Sequence, residues 1–114
     1  KFIATVKKSV EDNMDNPSFN VDVLCNLLNM SRTSFYNKIK ALTDQAPADY
    51  IRLIRLKHAA QLLKEQKHTI TEISELTGFS DAKYFREVFK KHFNMSPSQY
   101  AKRGKEGKDD KEIK

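Results

Sequence analysis

Hydrophobic residues along the chain recur at three- and four-residue steps, and the runs are broken at Asn, Pro, Ser and Gly. That spacing is one face of an α-helix, and it predicts seven helices. Phe2, Val6, Val10 and Met14 mark the first, over residues 2–14. It is closed by "DNPSFN", where residues before proline avoid the helical region. "VDVLCNLL" follows a capping Asn20, and "RTSFYNKIKAL" follows a capping Ser31 after the sharp turn "NMS". "TDQAP" interrupts again, and Pro47 suits the first turn of a long helix over residues 47–66. Thr69-Ile70-Thr71-Glu72 is a capping box opening a fifth helix that ends at Gly78. Beyond Asp81, the residues Phe85, Val88, Phe89 and Phe93 define a sixth, and Ser96-Pro97-Ser98-Gln99 opens a short seventh.

The pattern repeats. Val21, Leu24 and Leu27 recur 49 residues later as Ile70, Ile73 and Leu76. After the turn the offset becomes 50, pairing Phe35 with Phe85, Ile39 with Phe89, Pro47 with Pro97 and Tyr50 with Tyr100. The change implies one extra residue in the second turn. Asn29 and Gly78 hold matched turn positions, and both types tolerate the left-handed backbone of a tight helix–helix turn. The expectation is an all-α fold of seven helices. Two helix-turn-helix subdomains, 1–45 and 67–102, are joined by a linker helix, 46–66, and followed by a disordered basic tail, 103–114.

Composition fits a small helical domain, with 39 % hydrophobic and 32 % charged residues and only three Gly and three Pro. The net charge of +6 favours a polyanionic partner, nucleic acid or an anionic membrane. No apolar run approaches the ~20 residues that span a bilayer, so no membrane contact is expected. Cys25 is the only cysteine, which rules out an internal disulfide, and its apolar surroundings read as packing. The chain starts at Lys1 without Met, inside a helical pattern, and reads as an excised piece of something longer. His58, His68 and His92 lack metal-ligand spacing. With no phosphate loop and no nucleophile beside a base, no catalytic residue, metal or cofactor is expected, and the chain is not read as an enzyme.

In a DNA-binding helix-turn-helix the second helix packs one face on its partner and offers the other to the major groove. The outward positions of the first unit are Arg32, Thr33, Tyr36, Asn37 and Lys40; those of the second are Lys83, Arg86, Glu87 and Lys90. Arg and Lys donate to guanine, Asn pairs with adenine, and Glu accepts from cytosine. For either face alone, a solvated helix exterior is the better reading, and Glu87 equally suits an ion pair with Lys83 or Lys91. Two matched faces, each after a tight turn, reverse that preference. Phe35, Ile39, Leu42, Phe85, Phe89 and Phe93 are expected to be structural, and Tyr84 is counted with the aromatic core.

"MSRTSFYNKIKALTDQAPADYIRLIRLKHAAQLL" and "ITEISELTGFSDAKYFREVFKKHFNMSPSQY" resemble the two halves of the AraC/XylS-type DNA-binding domain. The resemblance implies sequence-specific transcription regulation, more often activation, by binding double-stranded DNA. It carries the family's base contacts to Arg32, Thr33, Tyr36 and Asn37, and to Lys83, Arg86 and Glu87. Asn37 and Glu87 stand where many members have a basic residue. The first half also resembles the output domain of bacterial hybrid two-component regulators. The expected setting is the bacterial cytoplasm, with a full-length homodimer and RNA polymerase as further partners. A helix of about twenty residues spans about 30 Å, near one turn of B-DNA, so both recognition helices can reach successive major grooves. The rival reading is an α-helical interaction module whose basic face meets an acidic protein.

Overall fold

In the computed structural model, which describes residues 1–106, the chain forms seven α-helices and, among those residues, no strand. They are α1 (Phe2–Asp12), α2 (Val21–Leu28), α3 (Arg32–Thr43), α4 (Pro47–Glu65), α5 (Ile70–Leu76), α6 (Ala82–Phe93) and α7 (Pro97–Glu106). Helices begin where a side chain satisfies a free backbone N–H. Asn20 accepts from the Val23 N–H at 3.1 Å, Ser31 from Ser34 at 3.1 Å and Asp81 from Lys83 at 2.9 Å. Thr69 with Glu72, and Ser96 with Gln99, close reciprocal capping boxes. Left-handed residues redirect the chain after five of the helices: Asn29, Asp44, Gln66, Gly78 and Asn94, with φ of 59°, 61°, 56°, 84° and 62°. α7 runs to Glu106, into the first residues assigned to the tail; the remainder of that tail lies outside the described residues.

α4 serves two hydrophobic cores. Ile51 and Ile54 join Val6, Val10, Leu24, Phe35 and Ile39, whereas Leu56, Ala59 and Leu63 join Ile73, Phe79, Phe85 and Phe89. A helix with neighbours on more than one side carries apolar residues around its circumference, and α4 therefore lacks the single stripe of the shorter helices. The second core is the more aromatic, with Phe89 centred 5.7 Å from Phe85, 4.4 Å from Phe93 and 5.4 Å from Tyr100. The repeat is preserved in burial: Leu24 and Ile73, Phe35 and Phe85, Ile39 and Phe89, and Pro47 and Pro97 are buried in register. Ser80, between Phe79 and Asp81, is the extra residue of the second turn.

Two expected core residues lie outside. Leu42 is 56 % exposed, because the buried stripe of α3 steps from Phe35 to Ile39 to the half-buried Thr43 and leaves Leu42 on its edge. Its counterpart 50 residues on, His92, is exposed too. Tyr84 is 44 % exposed: it precedes Phe85 by one residue, about 100° around the helix, and only leans toward Phe79. Phe93 is partly buried at the margin of the second core.

The boundary between the cores falls at Arg55, which is 5 % exposed. Its Nη1 donates to the Met14 and Thr77 carbonyls at 2.6 and 2.8 Å, and its Nη2 to those of Asn16 and Phe19 at 3.1 Å each. Burial pulls the guanidinium pKa below its ordinary value, and the four carbonyls supply the negative potential that holds the charge. Gly78 closes over this group. A Cβ there would run into the guanidinium and come within 2.6 Å of the Met14 carbonyl oxygen, besides straining the φ of 84°.

Phe89→Ala should destabilise the fold by about 3–5 kcal/mol, since it empties the centre of the aromatic core; a melting temperature equal to that of the parent would show that the ring is dispensable. Gly78→Ala should cost more than about 1 kcal/mol through strain alone, and an unchanged denaturant midpoint would mean that Arg55 swings aside freely.

Candidate nucleic-acid interface

Burying Phe35 and Ile39 turns the opposite side of α3 to solvent, and burying Phe85 and Phe89 does the same for α6. Arg32, Thr33, Tyr36, Asn37 and Lys40 are accordingly all exposed on α3, and Lys83, Arg86, Glu87 and Lys90 all exposed on α6. The fold thus presents two faces at matched places in two matched units, with different chemistry. The residues that α3 contributes include no carboxylate, while α6 carries Glu87 among three cations. Among the described residues Glu87 forms no ion pair with Lys83 or Lys91, so its carboxylate stays available as an acceptor.

Four of the five α3 residues converge. Arg32, Thr33, Tyr36 and Asn37 line a depression of about 380 Å³ with Val21 and with Ala46–Ala48 at the start of α4. Ala46 has no side chain able to cap α4, whereas Ser96, its counterpart before α7, caps that helix. The depression is therefore bordered by the N-terminus of a 19-residue helix that has no side-chain cap, where free N–H groups favour an anion and Asp49 already stands in the first turn. α6 has a different neighbour. Its Tyr84, Val88 and Lys91 face Asp49, Arg52 and Leu53 of α4 across a second depression of about 600 Å³.

Asp22 was missed in the pattern of the sequence. It sits in the first turn of α2 and pairs with the Arg32 guanidinium across the helix-turn-helix, both side chains about two-thirds exposed. A ten-residue separation on two different helices leaves no periodic signal. Arg52 is similar: it pairs with Asp49 at 2.7 Å within α4 and lines the second depression. Cys25, on the buried side of α2, has its thiol pKa pushed up by burial, opposed by Arg32 and assisted by Asp22, and fits the packing role. No helix among the described residues is long and apolar enough to cross a membrane. Nor do three His, Cys, Asp or Glu side chains gather there where a metal ion could sit.

Residues 24–103 match the model of a helix-turn-helix domain family. Over 96 residues, 84 % of this chain, the protein is 50 % identical to histidine kinase P4 of Formosa agariphila, of which the match spans only 7 %. It spans about a third of other curated relatives, which carry the names of operon regulators and transcriptional activators. Among solved structures it is similar to the C-terminal domain of the two-component response regulator yesN from Fusobacterium nucleatum. That likeness has a TM-score of 0.78 and 26 % identity, covering 89 % of this chain and 99 % of the other. It is equally similar to the DNA-binding domain of the global transcriptional factor AdpA, solved in complex with a target DNA. There the TM-score is 0.79 at 26 % identity, over 86 % of this chain and 87 % of the other.

Asp22→Ala removes an exposed ion pair and should change stability by less than about 1 kcal/mol. A thermal melt shifted by more than that would show that the pair braces α2 against α3.

Proposed function

The chain belongs to the AraC-type helix-turn-helix family, and from that premise we propose that it binds double-stranded DNA sequence-specifically as the output domain of a bacterial transcription regulator. The observation that carries the reading is the pair of exposed polar faces on α3 and α6, each following a tight turn and each backed by the same buried pattern. A single such face is an ordinary helix exterior. Two in register, on a chain of net charge +6, suit two segments of one duplex.

Affinity comes mainly from Lys and Arg neutralising phosphates, so it falls steeply with salt. The bare start of α4 suits a phosphate oxygen beside Arg32 and Thr33. Base choice rests on Arg32, Thr33, Tyr36 and Asn37 in one segment and on Lys83, Arg86 and Glu87 in the other, with Lys40 and Lys90 nearer the backbone. α4 has 19 residues and is about 28 Å long. That length suits major-groove segments about 10 base pairs apart on one side of the duplex. Because the two faces differ, the element read by one chain is asymmetric. The kinase and response-regulator likenesses support a place downstream of phosphorelay modules in a longer cytoplasmic protein. There a homodimer reads two copies of the element and touches RNA polymerase.

Selection of bound sequences from a random DNA pool, followed by footprinting, tests the reading; protection of two major-groove segments is expected. Protection confined to one would leave the other unit as a phosphate or protein contact. Arg86→Ala should weaken binding to the selected site by about 1–3 kcal/mol and relax base choice at one position. Equal losses on selected and scrambled DNA would reassign Arg86 to the backbone.

A further inference from the structure

The two units share no hydrophobic core; one ends at Ile54 on α4 and the other begins at Leu56. A helix alone is a poor clamp between two bodies packed on its successive turns, because each can roll on its own contacts. The Arg55 guanidinium lies at that junction. It holds three carbonyls of the connection between α1 and α2 (Met14, Asn16 and Phe19) and one, Thr77, from the turn that launches α6. Among the described residues no carboxylate pairs with it, so its bonding is committed to backbone from the two sides. The group is a planar fork with fixed donor directions. Any roll of the second unit against the first must break the Thr77 bond or lift the fork off the other three.

Gly78 reports how tight this junction is. Its Cα stands where even one added methyl would strike both the guanidinium of α4 and the Met14 carbonyl of the first unit. The matched turn residue of the first unit is Asn29, which carries a side chain although its φ is positive too, at 59°. The glycine is thus required by the approach of the two units as well as by the turn.

We propose that Arg55 is a positioning residue for recognition: it fixes the angle between α3 and α6, and so makes the protein selective for the number of base pairs separating its two DNA segments. The proposal rests on the reading that both units bind DNA. One added base pair moves the second segment by about 3.4 Å and turns it by about 35°. A rigid pair of recognition helices cannot follow that displacement. A pair free to roll can follow part of it.

The test uses the 114-residue chain and its selected site with one base pair removed or added between the two segments. The parent should lose about tenfold or more in affinity for either change, since a one-pair shift unseats one helix from the major groove. Arg55→Lys keeps the charge but offers a single nitrogen in place of the fork. It should retain helical circular dichroism, bind the selected site a few-fold more weakly, and show a spacing penalty of only about two- to threefold. Its penalties for base changes within each segment should equal those of the parent. Val10→Ala, which empties part of the first core at a residue that is not bonded to Arg55, supplies a variant of lowered stability whose spacing penalty should remain that of the parent. A folded Arg55→Lys chain with the full spacing penalty would overturn the proposal, as would a relaxed penalty in Val10→Ala. A parent that protects both segments yet ignores spacing overturns the proposal alone. Protection of only one segment by the parent overturns the two-unit reading and the proposal with it.

Discussion

The Arg55 guanidinium lies between two small hydrophobic cores, with four backbone carbonyls around it in place of a carboxylate. Taking a charge out of water costs several kcal/mol. Charge-assisted hydrogen bonds of about 1.5–3 kcal/mol each are of the size needed to offset that cost. The carbonyls need the cation as much as it needs them. Met14, Asn16 and Phe19 belong to an irregular connection whose oxygens face inward, where an unpaired acceptor is itself expensive. One side chain thus folds the loop after α1, seats the turn before α6, and allows α4 to be shared.

Around that junction the two units differ in a consistent way. Their buried positions are nearly interchangeable: Phe over Phe, Ile over Phe, Pro over Pro, left-handed Asp44 over left-handed Asn94. Their exposed positions are not. Asp22 pairs with Arg32 in the first unit, while the second places Glu87, which has no ion-pair partner among the described residues, beside Lys83, Arg86 and Lys90. Packing needs shape, and the same shape is used twice. Recognition needs donors and acceptors in particular places, and these are free to diverge because they take no part in the two hydrophobic cores.

Periodicity revealed most of this. The capping residues Asn20, Ser31, Thr69 and Ser96 mark helix starts in the chain and in the structure alike, because a cap is a local interaction between neighbours in sequence. The shift of offset from 49 to 50 located the extra turn residue for the same reason. The exposed faces of α3 and α6 were legible as the complements of their buried stripes. Leu42 and Tyr84 are hydrophobic yet exposed, because each lies one residue, about 100° around its helix, off the buried stripe. Arg55 and Asp22 were invisible. Their partners lie 41, 39, 36 and 22 residues away for Arg55 and 10 residues away for Asp22, on other elements, and an arginine in a basic helix looks like solvated charge. Only the packing of both units onto α4 turns that position inward.

A rigid Arg55 junction makes the two units move as one body. Backbone amide residual dipolar couplings in a weakly aligning medium test it without any nucleic acid. Couplings from α2 and α3, and from α5 and α6, should fit a single alignment tensor. Separate tensors of different magnitude for the two pairs of helices would contradict it, because units that reorient independently cannot hold two recognition helices at a fixed separation.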